Sequence, residues 1–300
     1  MNPLLVEEIE AKVREKYQNN KRLTHILGVA RLAKELAHKF ALDEDKAYVA
    51  GLLHDYIKYE SVPEMVAMID DEEIVQKFKT APEIYHAYAS KAMAIKIFNI
   101  KDEEILNAIC YHVYGRKQMT LLEKILVVSD YAEDSRPYPS CKMVRRILDN
   151  GDFNLAIFLC LKYTINNLVK NGKTPIPEEY EILDELRKEV NGMDILESVR
   201  DALEKVKAKD ITAYDLRGVS PLADFVVIAT VDSARQANAC IDYIEDFNKE
   251  GTLKIKNVEG KNSSWILIDL FDVIIHIFTE EERANYQLDK LYNQDLAFEL

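Results

Sequence analysis

Histidine and aspartate residues recur along the first half of the chain at positions from which metal ligands could converge. His54 and Asp55 are adjacent in the stretch AGLLHDYIKYE, at the end of an apolar run. Because burying a carboxylate without a partner is costly, a cation is expected beside this pair. The further candidates are His25, His86, His112 and Asp130. Imidazole and carboxylate suit iron, manganese or zinc, and six such ligands can hold two metal ions with positions open to water and substrate.

A less specific interpretation of the same residues competes with this one. A single histidine is more often a surface or hydrogen-bonded core residue than a ligand, and Asp130 could be a surface charge beside Glu133 and Asp134. The metal interpretation is favoured because five separate helical segments each carry an imidazole or an acid beside an apolar stripe. His38, in the polar stretch AHKF, and His276, in the second half, are expected not to be ligands.

The segments that carry these residues have the periodicity of amphipathic helices. Apolar residues recur at three- and four-residue steps in THILGVARLAKELAHKF, DKAYVAGLLHDYIKY, HAYASKAMAIKIFN, DEEILNAICYHVYG and TLLEKILVVSDYAED. Thr24, Asp43, Asp102 and Thr120 are suitable residues to cap the first turns of these helices. Since no strand pattern interrupts the first 188 residues or so, the sequence predicts an all-α domain over residues 1–190.

The pattern changes in the last third of the chain. Asn191 and Gly192 are the expected boundary, and a helix, ILESVRDALEKVKAKD, follows them. Short β-branched or aromatic runs come next: DITAYDLRGV, ADFVVIATV, LKIKNVE, SWILIDLF and DVIIHIFT. One helix separates the second and third runs, and a last helix, EERANYQLDKLYN, is expected after the fifth. The fold class is therefore multidomain, with a small mixed α/β domain over residues 194–300.

Composition limits the classes of function. The formal net charge of −13 argues against a protein that coats nucleic acid, and we expect no direct sequence-specific nucleic-acid binding. It leaves open a local basic pocket or a basic protein partner. The apolar runs are too short to cross a bilayer and no secretory segment begins the chain, so no membrane partner is expected. Four cysteines without C-x-x-C spacing fit a reducing, cytoplasmic location.

The helical half resembles a known family over roughly residues 15–185. TH, GLLHDYIK, YHAYASK, YHVYG and LEKILVVSDYAEDSRPYP are similar, in order, to the HD superfamily of metal-dependent phosphohydrolases, and more narrowly to its YqeK-type symmetrical bis(5'-nucleosyl)-tetraphosphatases. The resemblance implies a helical fold around two divalent metal ions, iron first with manganese or zinc as alternatives, and cleavage of diadenosine tetraphosphate to two ADP. It implies as ligands His25, His54, Asp55, His86, His112 and Asp130, with Asp55 bridging the ions.

Basic residues near these motifs are candidates for contacts with the tetraphosphate. Lys58, one turn beyond the His-Asp pair, is the first candidate for a phosphate contact and, with Asp55, for a catalytic role. Arg22, Arg116 and Arg136 are further substrate-binding candidates because Arg binds phosphate in a bidentate manner, although each could equally be a surface residue. The family usually has proline where this chain has Asp134, which bears on the turn that presents Arg136.

The second half resembles the RsfS ribosomal silencing factors over nearly its full length. The similarity is carried by ADFVVIAT with DSARQ, by the series from VEG to HIF, and by ERANYQLDKLY. It implies binding to the large ribosomal subunit through its fourteenth protein, which would block joining of the small subunit; the contact residues are not predicted. Phe271 stands where this family commonly has glycine. A homodimer is a further expectation at the level of the families.

Three hypotheses remain at this point. In the first, the chain is a natural fusion of a dinucleoside tetraphosphate hydrolase and a ribosome anti-association factor. In the second, the helical half hydrolyses another nucleotide, such as a cyclic dinucleotide. In the third, that half is an inactive scaffold for a ribosome-binding factor, although all six candidate ligands are present.

Overall fold

The chain divides into two units: the described residues of the first form helices and no strand, and those of the second form a sheet with helices. The units are Met1–Leu186 and Arg187–Leu300. The computed structural model describes residues 2–18, 20–149, 151–190, 193–216, 220, 223–249, 254–292 and 297–299. The predicted fold class, an all-α domain followed by a mixed α/β domain, is confirmed. The expected boundary at Asn191 and Gly192 lies outside the described residues.

The described part of the first unit contains eleven α-helices. They are α1 Pro3–Tyr17, α2 Lys21–Lys39, α3 Glu44–Leu53, α4 Val62–Ala67, α5 Glu72–Lys77, α6 Tyr85–Phe98, α7 Glu103–Tyr111, α8 Leu121–Ala132, α9 Pro139–Asp149, α10 Phe153–Lys170 and α11 Pro177–Arg187, with a 3-10 turn at Pro82–Ile84. Within the described residues, no helix is both long and apolar enough to cross a membrane.

Side-chain caps fix where several of these helices begin. The caps predicted at Asp43, Asp102 and Thr120 are confirmed, since each side chain accepts a hydrogen bond from a backbone N–H of the following turn. The cap predicted at Thr24 is wrong. Helix α2 begins earlier, because the side chain of Asn20 accepts from the backbone N–H of Leu23 at 3.1 Å.

Helix α3 occupies the centre of the first unit. Val49, Ala50, Gly51, Leu52 and Leu53 are all buried, so the end of this helix has no polar face. Gly51 lies against the backbone of α2: a Cβ atom there would be 2.5 Å from the Cα of Ala30. This close approach places the residues that follow α3 beside those of α2.

The second unit is built on a sheet that contains six strands among the described residues. They are β1 Lys209–Asp215, β2 Phe225–Val231, β3 Asn257–Glu259, β4 Trp265–Asp269, β5 Val273–Thr279 and β6 Ala297–Glu299, in the order β3-β4-β5-β2-β1-β6. Only the β2–β5 pair is parallel among these pairings. The helices are α12 Met193–Lys205, α13 Ala234–Lys249 and α14 Glu280–Tyr286.

The five predicted strand runs each contribute a strand, whereas two details of the chain end differ. The last helix is shorter than predicted, because it ends at Tyr286 and the left-handed Gln287 leads into a 3-10 turn at Leu288–Lys290. Strand β6 was not predicted. Its three residues carry too short an alternation to be recognised, and its partner β1 makes it a strand.

His276 gives this unit a specific dependence on pH. It lies on β5 with 7% exposure, and the indole N–H of Trp265 donates to its Nδ1 at 3.2 Å. Burial lowers the pKa of His276 to about 4. The unfolded imidazole takes up a proton near pH 6.5, whereas the folded one does so only near pH 4. The free energy of unfolding is therefore unaffected by His276 above pH 6.5, and it falls by about 3 kcal/mol as the pH drops from about 6.5 to about 4.

Urea unfolding followed by tryptophan fluorescence tests this prediction, since Trp265 is the single tryptophan of the chain. The midpoint should fall between pH 7 and pH 4.5 in the wild type. A His276→Gln variant should show a shallower fall, and a His38→Gln variant, altered at an exposed histidine, should match the wild type. Equal slopes in all three proteins would contradict the assignment to His276.

Candidate metal centre

Four imidazoles surround the carboxylate of Asp55, which is 2% exposed. The Nε2 atoms of His54 and His25 lie 3.5 and 3.7 Å from Asp55 Oδ2. The Nε2 atoms of His86 and His112 lie 3.1 and 3.7 Å from Asp55 Oδ1. Asp55 follows α3, and the four histidines come from α2, the end of α3, α6 and the end of α7. One carboxylate therefore faces ligands from four different parts of the bundle.

The orientation of three of these rings is fixed by the backbone. Nδ1 of His54 and Nδ1 of His112 each lie 2.7 Å from the carbonyl oxygen three residues earlier. Nδ1 of His86 faces the carbonyl oxygen of Glu83 in the same way. Because a carbonyl oxygen only accepts, each Nδ1 must carry the proton. The Nε2 lone pairs are then left to point at the carboxylate and at each other, which is the arrangement of metal-binding imidazoles.

The facing acceptors have the spacing of atoms that share a cation. The Nε2 atoms of His86 and His112 are 3.2 Å apart, and those of His25 and His54 are 3.4 Å apart. Asp55 Oδ1 is buried and has no hydrogen-bond partner. Two ligand atoms that bind one metal ion at about 2.1 Å and at a right angle are about 3.0 Å apart. The donor atoms and their spacing therefore fit metal ions.

Asp130, on α8, completes the set of six predicted ligands. Its Oδ1 lies 3.0 Å from His25 Nε2 and 3.8 Å from His54 Nε2. Its ligand atom groups with those of His25 and His54, and the atoms of His54, Asp55 and His112 form a second group; within each group they lie within 4.8 Å of one another. His54 belongs to both groups, so the two groups adjoin within one continuous cluster.

The carboxylates of this cluster are held in their charged form. Burial alone would raise the pKa of Asp55, but the charge of His54 and the facing rings of His112 and His86 hold it well below its usual range. Burial would likewise raise the pKa of Asp130, but the guanidinium of Arg136 and the ring of His25 hold that pKa well below its usual range. Charged carboxylates are the forms that bind metal ions.

Glu133 is a component of the site whose role the sequence did not reveal. It is 1% exposed, and its Oε1 lies 3.1 Å from His25 Nδ1. Ser135 donates to the same carboxylate through its hydroxyl at 2.6 Å and its backbone N–H at 2.8 Å. The carboxylate thus holds His25 with Nε2 towards the cluster, as outer-shell carboxylates do for metal-binding histidines. The sequence places Glu133 three residues after Asp130, where it resembles an ordinary helix-end charge.

Gly28 provides the space that Glu133 occupies. A Cβ atom at this position would lie 2.4 Å from Glu133 Oε2. Gly28 follows His25 by one helical turn, so the ligand and the space for its supporting carboxylate come from one face of α2. A glycine one turn after a candidate ligand was the available sequence signal.

We expect Glu133→Gln to weaken metal binding about 10-fold or more, because outer-shell partners typically contribute 10- to 100-fold to metal affinity. Gly28→Ala should have a similar effect, since its methyl group would displace the carboxylate. Competition with a chelator measures the affinity. Asp134→Asn is the matched control, because the neighbouring Asp134 side chain is 96% exposed and should not matter. Wild-type affinity in Glu133→Gln and Gly28→Ala would contradict this role.

Three of the four predicted phosphate-binding cations adjoin the cluster. Lys58 Nζ lies 3.1 Å from His86 Nε2 and 3.7 Å from Asp55 Oδ1. Arg22 Nη1 lies 2.5 Å from Asp55 Oδ2, and Arg136 Nη2 lies 2.7 Å from Asp130 Oδ1. These groups place positive charge at the rim of the ligand set.

Arg116 is not brought to the cluster. Its guanidinium donates to both carboxylate oxygens of Glu123, from Nε at 3.0 Å and from Nη2 at 2.9 Å. Glu123 is 1% exposed and also accepts from the backbone N–H of Thr120 at the start of α8. Arg116 therefore stabilises a helix end, and its contact with substrate stays a prediction that this pairing does not support.

A cavity of about 700 Å³ opens beside the cluster. Lys58, His86, His112, Asp130 and Arg136 are among its lining residues. Its other lining residues include Tyr138, Tyr163, Asn166, Asn167 and Lys170. A cavity of this volume is in the range of small-molecule sites. Its lining combines candidate ligands and cations with aromatic and amide side chains, which suits a phosphate chain joined to a nucleoside.

Comparison with family profiles and known proteins assigns different relatives to the two halves. The HD domain profile matches residues 22–134, and the profile described as ribosomal silencing factor during starvation, RsfS, matches residues 189–299. The chain is 36% identical to the symmetrical bis(5'-nucleosyl)-tetraphosphatase of Bacillus subtilis over 160 residues, which is 53% of this chain and 86% of that protein. It is 33% identical to the ribosomal silencing factor RsfS of Halalkalibacterium halodurans over 112 residues, 37% of this chain and 96% of that protein.

A solved structure supports the fold of the first unit. It is a Clostridium acetobutylicum protein described as a predicted HD superfamily hydrolase involved in NAD metabolism. The two structures superimpose with a TM-score of 0.57 at 30% identity, over 61% of this chain and 97% of that one. The relatives thus match the chain in two consecutive parts, with the His-Asp cluster in the first.

Proposed function

The chain belongs to the symmetrical bis(5'-nucleosyl)-tetraphosphatases of the HD superfamily in its first half and to the RsfS family in its second half, and from this we propose that it hydrolyses diadenosine tetraphosphate to two ADP and binds the large ribosomal subunit. The hydrolase proposal rests above all on one observation. Four Nε2 atoms converge on a buried carboxylate whose Oδ1 has no hydrogen-bond partner.

The proposed metal ligands are the six predicted residues. His25, His54, Asp55, His86, His112 and Asp130 would hold two divalent ions, with Asp55 shared between them. Iron is the first choice and manganese or zinc the alternatives, because imidazole and carboxylate ligands suit all three. Bound there, the ions supply Lewis acidity, which activates water as a nucleophile and offsets charge on the phosphoryl oxygens.

The surrounding residues bind and orient the tetraphosphate. Lys58 and Arg136 line the cavity and carry charges that pair with phosphate oxygens. Lys58 is the proposed catalytic cation, since its Nζ is close enough to the ligand set to stabilise charge that develops at the reacting phosphate. Arg22 contacts Asp55 directly and is proposed to contact phosphate at the same end of the site.

Symmetrical cleavage requires that the two central phosphates lie at the ligand cluster. The oxygen of water forms a bond to one central phosphorus, and the bond from that phosphorus to the bridging oxygen breaks. The bridging oxygen leaves with the second ADP, and the protons of water are released to solvent. The cavity beside the cluster would receive one nucleoside diphosphate half, with its phosphates near Lys58 and Arg136.

Anaerobic purification with ferrous iron, followed by chromatography of the products from diadenosine tetraphosphate, tests the proposal. We expect ADP as the only product. Production of ATP with AMP would place the cut elsewhere and overturn the symmetrical assignment. Absence of turnover in protein shown to contain metal would favour a different nucleotide substrate.

The second half is proposed to act on the ribosome. Residues 194–300 would form the ribosome-binding domain and residues 1–190 the hydrolase domain. The proposed contact is the fourteenth protein of the large subunit, and its occupation would block subunit joining. An acidic chain with a net charge of −13 suits a basic ribosomal protein as partner, although charge complementarity affects association rates more than affinity. This partner and four buried free cysteines fit a cytoplasmic location. A homodimer is proposed from the families.

Light scattering or sedimentation of mixed ribosomal subunits tests this second activity. The wild-type chain should reduce the formation of joined ribosomes when it is added to large subunits before small subunits. Normal joining at saturating protein would contradict the proposal. Metal removal should not change this result, because the His-Asp cluster lies in the other unit.

A further inference from the structure

The turn between β4 and β5 contains a bulky residue in a backbone conformation that favours glycine. Phe271 has φ = +71°. The backbone N–H of Asp272 donates to the carbonyl of Leu270 at 3.1 Å, and the N–H of Leu270 donates to the carbonyl of Val273 at 2.9 Å. A bond between residues two apart around a central positive φ marks the rarer and more strained form of γ-turn. Two-residue hairpin loops with a positive φ at the first position normally use glycine there.

Neighbouring groups hold the turn in this conformation. Asp269 Oδ1 accepts from the backbone N–H of Phe271 at 2.8 Å. The carbonyl of Asp272 accepts from the backbone N–H groups of Asp224 and Phe225 at 2.8 and 2.9 Å, at the start of β2. Strained residues persist where the surrounding structure fixes them in this way. The hydrogen bonds explain the shape of the turn, but none of them requires a phenylalanine side chain.

The phenylalanine ring is instead presented to solvent between lysines. Phe271 is 43% exposed. Lys254 Nζ lies 5.4 Å and Lys256 Nζ lies 5.7 Å from the ring centre. Lys256 also pairs with Asp269 at 3.0 Å, so its charge is partly compensated. We call Phe271, Lys254 and Lys256 the turn patch.

We propose that the turn patch is a contact surface for RNA, in which a base stacks on the Phe271 ring and phosphates pair with Lys254 and Lys256. The proposal rests on the proposed ribosome binding of this half, which would bring the patch to a large RNA. Aromatic rings stack on bases of any sequence, and lysines beside them neutralise the backbone. The contact would be independent of base sequence.

RNA suits the patch better than a protein does. A small patch with one aromatic ring and two ammonium groups lacks the apolar area of a protein interface core. Lys254 and Lys256 place two ammonium groups beside the ring on a chain whose formal net charge is −13. Asp269 pairs with Lys256 and the exposed Asp272 follows Phe271, so Lys254 supplies the charge that is available to a phosphate. The strain at Phe271 is then retained because the stacking ring contributes to binding.

Site-specific photo-crosslinking distinguishes the partners. Phe271 is replaced by p-benzoylphenylalanine in the full chain, which is irradiated with purified large ribosomal subunits. A crosslinked product that ribonuclease degrades supports the proposal. A crosslink to ribosomal protein alone, or none although the chain co-sediments, overturns it. If the chain does not co-sediment, the proposed ribosome binding is wrong, and the variant is then irradiated with protein-free large-subunit RNA. A crosslink to this RNA would still support RNA binding by the turn patch, and its absence would overturn it.

A glycine variant separates the two consequences of Phe271. Phe271→Gly should raise the melting temperature of this unit, followed by Trp265 fluorescence, by about 4 °C or more, because glycine adopts the turn without strain. The same variant should weaken binding to large subunits at least about 5-fold, since base stacking contributes about 1–3 kcal/mol. Lys254→Gln should lower the slope of log affinity against log salt by about 0.7.

The matched control is Tyr243→Ala, which removes an aromatic ring that is 37% exposed with Lys205 Nζ 5.4 Å from its centre, on helix α13. It should retain wild-type affinity. Undiminished binding by Phe271→Gly, or an equal loss in Tyr243→Ala, would overturn the proposal.

Discussion

Asp55→Asn is expected to abolish the hydrolysis of diadenosine tetraphosphate, with a loss on the order of 10³-fold or more. The carboxamide has nearly the same shape as the carboxylate, so the substitution chiefly removes negative charge and exchanges one oxygen for an N–H donor. Both Asp55 oxygens face imidazole Nε2 atoms, at distances from 3.1 to 3.7 Å. The charge is therefore lost at the one position that all four ligand rings share.

Metal binding should be lost together with activity. An NH₂ group would point at two acceptor lone pairs and could hydrogen-bond to them, which would replace the cation that these lone pairs require. In the wild type, a chelator should lower the melting temperature of the helical unit, because a ligand that binds only the folded state stabilises it. In Asp55→Asn the chelator should have almost no effect.

Asp70→Asn is the matched control for this variant. It makes the same exchange at an exposed carboxylate, between α4 and α5, and should leave activity, metal content and the chelator response unchanged. Asp55→Asn should also retain co-sedimentation with large ribosomal subunits if the two halves act independently. A variant that keeps full metal content and near-normal turnover would remove Asp55 from the ligand set.

The helical elements and the six ligand candidates could be anticipated because each depends on local signals. Helical periodicity and capping side chains are visible within short stretches of sequence, and the candidate ligands are the acids and imidazoles beside apolar stripes. The packing of α2 against α8 brings His25 Nε2 within 3.0 Å of Asp130 Oδ1. The sequence implies this packing only through the family resemblance.

The missed features depend on contacts between distant residues. Glu133 could not be distinguished from a surface charge, because its partner His25 is 108 positions away in sequence. The pairing of Arg116 with the buried Glu123 could not be predicted either, because the sequence does not show which acidic side chain an arginine contacts. The strain at Phe271 is seen only from its backbone angle, φ = +71°. The glycine that is common at this position in the family was an indication that the turn needs a positive φ.

Gly51→Ala is expected to destabilise the helical unit by about 1–3 kcal/mol, although alanine normally stabilises the middle of a helix by about 1 kcal/mol relative to glycine. The reason is the contact between α3 and α2. The added Cβ would be 2.5 Å from the Cα and 2.9 Å from the N atom of Ala30. These are backbone atoms on the buried face of α2, so the two helices must move apart.

The same displacement should weaken the metal site. Helix α2 carries His25 and the end of α3 carries His54, whose Nε2 atoms are 3.4 Å apart. Separating the helices widens this pair, and we expect metal affinity to fall about 10-fold or more, as it does when the supports of ligands are altered. Urea unfolding of the metal-free protein, prepared with a chelator and followed by far-ultraviolet circular dichroism, measures the free energy of unfolding. Competition with a chelator measures the metal affinity.

Two internal controls make the Gly51 result specific. Trp265 fluorescence reports on the other unit and should give the wild-type unfolding midpoint. Adding Ala30→Gly should not rescue Gly51→Ala, because the side chain of Ala30 is the more distant obstacle, with its Cβ 3.1 Å from the new atom. Rescue by that second substitution would show that side-chain crowding, rather than the backbone contact, sets the spacing of α2 and α3. A neutral or stabilising Gly51→Ala would show that the helices are not in this contact at all, and the route by which α3 presents His54 to His25 would have to be sought elsewhere.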